Sequence, residues 1–241
     1  MGVKSSSLYM LDCRMSGQHK QTCLPRKPPN YNHNWTELHY TASHGNVEKL
    51  RAALRKGNCD VNKTDYYGKT ALYWAAYKGH TECVEELILH GAMVNMQCKH
   101  GSTPLHAVAS LYPDCTALLV QNGADVDVRD KWGVTPMYLS ATAGQLECLR
   151  ILVDTGARMT YKNQKTGEIP KQLAAHKEFW KWLNHLSRNP RSLAHLARLA
   201  IRRHLEDHRE CTVAQLPLPR VLTDYVALKE LDQYINRNTN N

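Results

Sequence analysis

A nine-residue phrase that recurs every 32 to 34 residues constrains the fold of this chain more than any other feature. Gly-Lys-Thr-Ala-Leu-Tyr-Trp-Ala-Ala at 68–76 returns as Gly-Ser-Thr-Pro-Leu-His-Ala-Val-Ala at 101–109 and as Gly-Val-Thr-Pro-Met-Tyr-Leu-Ser-Ala at 133–141. Fainter copies occupy 34–42 and 167–174. A second phrase, such as Gly-Ala-Asp-Val-Asp, keeps the same period. This periodicity predicts a solenoid in which each repeat packs against its neighbours.

The spacing of apolar residues predicts two helices in each repeat. In the best-preserved copy the first helix is expected over 70–77 and the second over 81–90, with Gly79 between them. Gly91 is expected to close the second helix as its C-terminal cap. The stretch 95–101 then forms a hairpin that leads to the next repeat.

The repeat length and the recurring sequence motifs resemble those of the ankyrin repeat. The resemblance implies an all-α solenoid over 34–187, with roughly four helix–turn–helix repeats, hairpin loops and a partial capping repeat. In the third copy, Leu-Tyr-Pro-Asp at 111–114 replaces a Gly-His loop, either as a recognition feature or as neutral drift. In the last copy, Phe-Trp-Lys-Trp-Leu at 179–183 is expected to seal the stack.

Composition and cysteine positions exclude several classes of protein. No apolar stretch approaches the roughly 20 residues that span a bilayer, and no apolar signal core is evident. We therefore expect an intracellular protein of the cytoplasm, with the nucleus as an additional alternative. The eight cysteines include no Cys-x-x-Cys. Cys83, Cys115 and Cys148 share one position in successive repeats, which indicates packing rather than disulfides or zinc. We expect neither a metal nor a cofactor.

No motif predicts catalysis. Tyr-Gly-Lys-Thr at 67–70 resembles the end of a phosphate loop, but Lys63 stands where that loop needs glycine. His204 and His208 are four residues apart without the glutamate that a zinc protease places after its first histidine. His106 is expected to form hydrogen bonds between repeats. The sequence therefore predicts no catalytic residues.

Residues 1–33 and 232–241 are expected to be disordered tails, the first of them basic. Met-Gly-Val-Lys-Ser-Ser at the start matches the pattern for N-myristoylation of Gly2. Nearby lysines and arginines would supply the second, electrostatic signal that a single acyl chain needs to hold a membrane. The alternative is an unmodified tail, so contact with a membrane depends on acylation of Gly2.

A separate module follows Asn-Pro at 189–190. Leucine, alanine and isoleucine at three- and four-residue steps over 193–205 predict an amphipathic helix, with Arg198 and Arg202 off its apolar stripe. The stripe must pack on the last repeat or enter the groove of a partner. Leu-Pro-Leu-Pro at 216–219 then fixes an extended backbone.

This module resembles a SOCS box at 188–231, and the chain as a whole resembles the ankyrin-repeat and SOCS-box family. The resemblance implies that elongin C binds Leu193, Leu196, Ala197, Ile201 and Leu205. It implies that a cullin, the fifth one, with its RING subunit, binds Leu216, Pro217, Leu218, Pro219, Leu222 and Tyr225. Ala197 stands where the family usually has cysteine.

The resemblance implies an adaptor that recognises substrates for an elongin B/C–cullin–RING E3 ubiquitin ligase and promotes their ubiquitination and degradation. The alternative is an ankyrin scaffold whose C-terminal helices only cap the array. Aligned hairpin tips and a first helix predict the substrate surface, formed by Tyr66, Tyr67, Tyr77, Lys99, His100, Lys131 and Trp132. This aromatic and basic surface would prefer an acidic or phosphorylated protein segment rather than nucleic acid. Alternatively, each ring packs on its neighbouring tip.

Overall fold

A computed structural model describes residues 35–57, 59–162 and 167–188, and these residues form ten helices. Their bounds are α1 Glu37–Ser43, α2 Val47–Arg55, α3 Ala71–Lys78, α4 Thr81–Leu89, α5 Pro104–Val108, α6 Pro113–Gln121, α7 Pro136–Ala143, α8 Leu146–Asp154, α9 Lys171–Ala175 and α10 Lys177–Arg188. Within the same ranges the structure contains no β-strand, only an isolated bridge between Thr64 and Thr70.

The helices form two layers. Each first helix of a repeat contacts the next one along the series α1, α3, α5, α7 and α9. The second helices α2, α4, α6 and α8 are in contact in the same order, and each helix pair packs internally. The structure therefore confirms the expected all-α solenoid.

Local capping explains the bounds of α3 and α4. The hydroxyl of Thr70 accepts a hydrogen bond from the Tyr73 backbone N–H at 3.2 Å, so Thr70 is the N-cap and α3 begins one residue later than expected. Gly91 has φ of 85°, and its N–H donates to the Ile88 carbonyl at 2.9 Å. This left-handed turn after α4 confirms the predicted glycine cap.

The cysteines that recur with the repeat lie in the core between the layers. Cys83, Cys115 and Cys148 are fully buried and not in disulfides. Burial raises the pKa of the Cys83 thiol to about 11 and that of Cys148 to about 12, which keeps both thiols neutral. The Thr116 hydroxyl of one repeat donates to the Cys148 sulfur of the next at 3.7 Å. These residues pack as the sequence indicated.

A buried histidine joins neighbouring repeats. His106 Nδ1 accepts from the Thr103 backbone N–H at 3.2 Å, and His106 Nε2 donates to the Val134 carbonyl of the next repeat at 3.1 Å. His39 is placed in the same way between Thr36 and Lys69. Burial lowers the pKa of His106 to about 4, so the imidazole is neutral. The predicted inter-repeat role of His106 is confirmed.

The second phrase of each repeat also builds the interface between repeats. Asn62 Oδ1 accepts from the Met93 backbone N–H at 2.7 Å, and its Nδ2 donates to the Gly91 carbonyl at 3.2 Å. Asn95 repeats the arrangement one step on, accepting from the Asp125 N–H at 2.8 Å. Each asparagine side chain forms hydrogen bonds with backbone groups of the following repeat. This role explains why the Val-Asn motif recurs with the structural period.

The altered loop of the third repeat has a packing role that neither expected alternative described. The ring of Tyr112 lies directly against Gly79 of the preceding repeat, in the space that a Cβ atom at Gly79 would occupy. Tyr112 is half-buried and packs against the core. The tyrosine therefore replaces the lost Gly-His loop with an aromatic contact between repeats.

Aromatic side chains close the end of the array, as predicted. Phe179, Trp180 and Trp182 on α10 are partly buried against the core, and Leu183 is fully buried. The Trp180 ring meets the Tyr161 ring edge-on at a centroid distance of 5.7 Å. This end of the solenoid is thereby covered by side chains of the chain itself.

Candidate functional site: the hairpin-tip surface

Three successive hairpins bring their tips together as a continuous row. We name as the hairpin-tip surface the side chains of Tyr66, Tyr67, Lys99, His100, Lys131 and Trp132. The Lys99 backbone N–H donates to the Tyr67 carbonyl, and the Lys131 N–H donates to the His100 carbonyl, each at 2.9 Å. Because backbone groups join neighbouring tips directly, the row has a fixed register.

Glycine permits this close approach. Gly68 has φ of 75°, and a Cβ atom built there would lie 3.0 Å from the Lys99 backbone nitrogen. Gly101 has φ of 77°, and its Cβ would lie 3.1 Å from the Lys131 nitrogen. The glycine that begins each of these copies of the repeated motif is therefore required both for the left-handed backbone and for the contact between tips.

Two aspartates that the sequence reasoning missed hold the tips in shape. Asp65 Oδ1 accepts from the backbone N–H groups of Tyr67 and Lys69, both at 2.8 Å. Asp130 Oδ1 accepts in the same way from the N–H groups of Trp132 and Val134, at 2.9 and 2.8 Å. The signal was available in the sequence, because both aspartates stand three residues before a phrase glycine.

The aromatic side chains of the surface are in mutual contact and still exposed. Trp132 stacks on His100 of the preceding tip at a centroid distance of 5.3 Å, yet 52% of Trp132 is accessible. Tyr66 meets Tyr67 edge-on at 5.3 Å, and 64% of Tyr66 is accessible. Contacts within and between tips cover part of these rings, and the rest of their surface is accessible to a partner.

In the part of the chain that the structure describes, several cations at and beside the tips form no ion pair. Within the described ranges, the structure gives no ion pair to Lys63, Lys99, Arg129 or Lys131. Lys99 Nζ lies 4.1 Å from the centroid of the Tyr66 ring, in a cation–π contact. The surface therefore combines exposed aromatic rings with positive charge.

Tyr77, also expected at this surface, lies in an aromatic cluster on the first helices. Its ring meets Trp74 edge-on at 5.9 Å, and Lys69 Nζ lies 5.8 Å from its centroid. Lys69 Nζ is also 4.5 Å from the Tyr73 ring and 4.9 Å from the Trp74 ring. Trp74 is 7% exposed and donates from Nε1 to Asp65 at 3.0 Å. Through the hydrogen bond from Trp74 to Asp65, this cluster contacts the base of the first hairpin.

The remaining predicted sites lie outside the described residues. These are Gly2, the elongin-binding residues within 193–205 and the cullin-binding residues within 216–225. In the ranges that the structure describes, no three His, Cys, Asp or Glu side chains form a group that could hold a metal ion. No helix in those ranges has the length and apolarity to cross a membrane.

Comparison with known families identifies both modules. The family model described as ankyrin repeats (3 copies) matches residues 13–98 and 79–165, and the SOCS box model matches residues 189–227. The chain therefore belongs to the ankyrin-repeat and SOCS-box family. Both are domains of the adaptor type and neither is catalytic. The SOCS box match spans every residue predicted to bind elongin C or a cullin.

Two individual proteins are similar to the chain over short stretches. The chain is 42% identical over 73 residues to the inactive serine/threonine-protein kinase TEX14 of Mus musculus, covering 30% of this chain and 5% of that protein. It is 48% identical over 58 residues to ankyrin repeat domain-containing protein 29 of Danio rerio, covering 24% and 20%. The chain thus spans a fifth or less of the length of these relatives.

Proposed function

We propose that the chain is the substrate-recognition adaptor of an elongin B/C–cullin–RING E3 ubiquitin ligase. The observation that carries this proposal is the presence, in one chain, of an ankyrin solenoid with an exposed tip surface and a SOCS box at 189–227. The solenoid would hold the substrate and the box would dock the ligase. Tethering raises the effective concentration of substrate lysines near the conjugating enzyme. Ubiquitin transfer is performed by the partners, and degradation of the substrate follows.

Elongin C would bind the apolar stripe over 193–205. A helix with one apolar face enters a hydrophobic groove through side chains at three- and four-residue steps, and Leu193, Ala197 and Ile201 follow one another at four-residue steps. Ala197 keeps a small apolar side chain at the position where cysteine is usual, so the surface of the stripe stays continuous. The proposed location is the cytoplasm, with the nucleus as an additional alternative.

The fifth cullin is the proposed scaffold. The sequence Leu-Pro-Leu-Pro at 216–219 predicts an extended backbone, which would display Leu216 and Leu218 as preformed contacts. A preformed segment loses little conformational entropy on binding, so two leucines suffice to add selectivity to a complex that elongin C already anchors.

Copurification with elongins tests the proposal. The full chain is coexpressed with elongin B and elongin C, as wild type, as Leu193→Asp and as the matched control Arg202→Asp. Leu193→Asp places a charge on the apolar stripe and should abolish the complex, because burying an unpaired carboxylate is costly. Arg202→Asp introduces the same side chain off the stripe and should retain the complex.

The opposite results are equally clear. Equal recovery of elongins with Leu193→Asp would refute the assignment of the stripe. A folded wild-type chain that retains no elongin would refute the adaptor proposal and leave the scaffold alternative, in which the C-terminal helices only cap the array.

A further inference from the structure

Building on the proposed function, we infer that the hairpin-tip surface binds an extended protein segment with two Asp or Glu residues about three positions apart and an apolar residue beside them. Each tip presents two consecutive side chains. The first positions are Tyr66, Lys99 and Lys131, and the second positions are Tyr67, His100 and Trp132. The hairpins therefore display a row that contains Lys99 and Lys131 next to a wholly aromatic row.

The charge of the row favours an acidic partner. The solenoid pairs several of its other cations, since Arg51 lies 2.8 Å from Glu86 and Arg158 lies 3.5 Å from Asp127. By contrast, the structure gives Lys99 and Lys131 no carboxylate partner among the described residues. Asp65, next in sequence to the first tip, is 5% exposed and directs its oxygens at backbone N–H groups and Trp74. Asp130, which precedes Lys131, is half-buried and likewise accepts from the backbone N–H groups of Trp132 and Val134. The charged side chains of the row itself are lysines, and the net charge of the chain is +9.

The spacing of the row sets the spacing of the acidic residues. Neighbouring packed helices are about 8–10 Å apart, so successive tips are separated by a similar step. A segment in the extended polyproline II conformation advances about 9 Å in three residues and completes one turn, so side chains three positions apart lie on the same face. Carboxylates three positions apart therefore reach Lys99 and Lys131 together, and the intervening apolar side chains reach the aromatic row.

The lysines favour carboxylates over a phosphate group. A phosphate is best held by converging donors, commonly arginine forks that bind two oxygens at once. Lys99 Nζ instead leans over the Tyr66 ring of the preceding tip, 4.1 Å from its centroid. Lys131 belongs to the following tip. Two separate point charges match two separate carboxylates.

The surface is rigid before a partner binds. Its tips are joined by the Lys99–Tyr67 and Lys131–His100 backbone hydrogen bonds. Trp132 is already stacked on His100, so little side-chain entropy remains to be lost. An exposed tryptophan held in place is a typical anchor of a binding surface.

Selection of peptides tests the inference on the full chain. A phage-displayed library of random linear peptides is selected on wild type, and the recovered peptides are synthesised for affinity measurements. We expect enrichment of acidic residues three positions apart with an apolar neighbour. Affinity should fall about tenfold or more on Lys99→Glu/Lys131→Glu, and about tenfold on Trp132→Ala. The matched charge control, Lys49→Glu/Lys177→Glu on the exposed faces of second helices, should change affinity less than about twofold.

Several results would overturn the inference. The inference fails if no peptide is recovered or if the selected peptides show no acidic enrichment. It also fails if the selected peptides bind Lys99→Glu/Lys131→Glu as tightly as they bind wild type. Preference for phosphorylated versions of the peptides, or tighter binding of a single-stranded oligonucleotide, would also overturn it. Elongin copurification is measured on the same proteins. Retention of elongins without acidic-peptide binding would reject only this inference, and peptide binding without elongins would reject only the ligase proposal.

Discussion

Acidification should destabilise the solenoid through His106, by an amount that the structure sets. The imidazole is 3% exposed, and burial is the main cause that lowers its pKa from 6.5 to about 4. Its Nδ1 already accepts from the Thr103 backbone N–H, so a proton added there would face another donor. Between pH 6.5 and 4 the unfolded chain therefore binds more protons than the folded one, and stability falls as the pH falls.

The magnitude follows from the same two pKa values. Each pH unit of their difference corresponds to about 1.36 kcal/mol, so complete protonation removes about 3 kcal/mol. About 2 kcal/mol of that loss should be present by pH 5. His39 shifts in the same direction, with burial as its main cause, and adds to the effect.

The assay compares urea unfolding at pH 7 and pH 5 for wild type and His106→Gln. Glutamine suits the third position of a capping box and can donate to the Val134 carbonyl without titrating. The loss of stability between the two pH values should therefore be about 2 kcal/mol smaller in His106→Gln. His176→Gln, which removes an exposed histidine, is the matched control. Equal pH dependence of wild type and His106→Gln would refute the reasoning, as would an equal change in the control.

Two further outcomes are expected. In urea unfolding, Gly79→Ala should destabilise the chain more than Gly57→Ala does. Both glycines have positive φ, but only Gly79 faces the Tyr112 ring. The left-handed strain costs about 1 kcal/mol in each variant, and the clash with the ring adds about 1–3 kcal/mol in Gly79→Ala. Equal losses would contradict the Tyr112 packing. In pulldowns, Leu216→Asp should lose the fifth cullin while retaining elongins, whereas the neighbouring Gln215→Asp should retain both. Loss of elongins from Leu216→Asp would contradict the assignment of separate elongin-binding and cullin-binding segments within the SOCS box.

The period, the helices and the caps were predictable because each depends on residues close in sequence. Thr70 directly precedes α3, and Gly91 follows the last residue of α4, Leu89, by two positions; both were readable because capping is a local interaction. The Tyr112–Gly79 contact was not predictable, because it joins different repeats and depends on the exact distance between them. The placement of Tyr77 on a first helix agrees with the prediction, whereas its contacts there were not predictable. Helical spacing gives its face, but the contacts of Lys69 decide that it lies in the aromatic cluster.

The tip aspartates show how structural and functional roles are connected in this fold. Counted from the sequence, Asp65 and Asp130 would offset the positive charge of the adjacent tips. In the structure each carboxylate accepts two backbone N–H bonds, so its charge is directed into the hairpin that it shapes. The same bonds hold the turn that displays Lys131 and Trp132 outward. Replacing Asp130 would therefore reduce negative charge and still weaken acidic-segment binding, because the display of the lysine and the tryptophan would be lost.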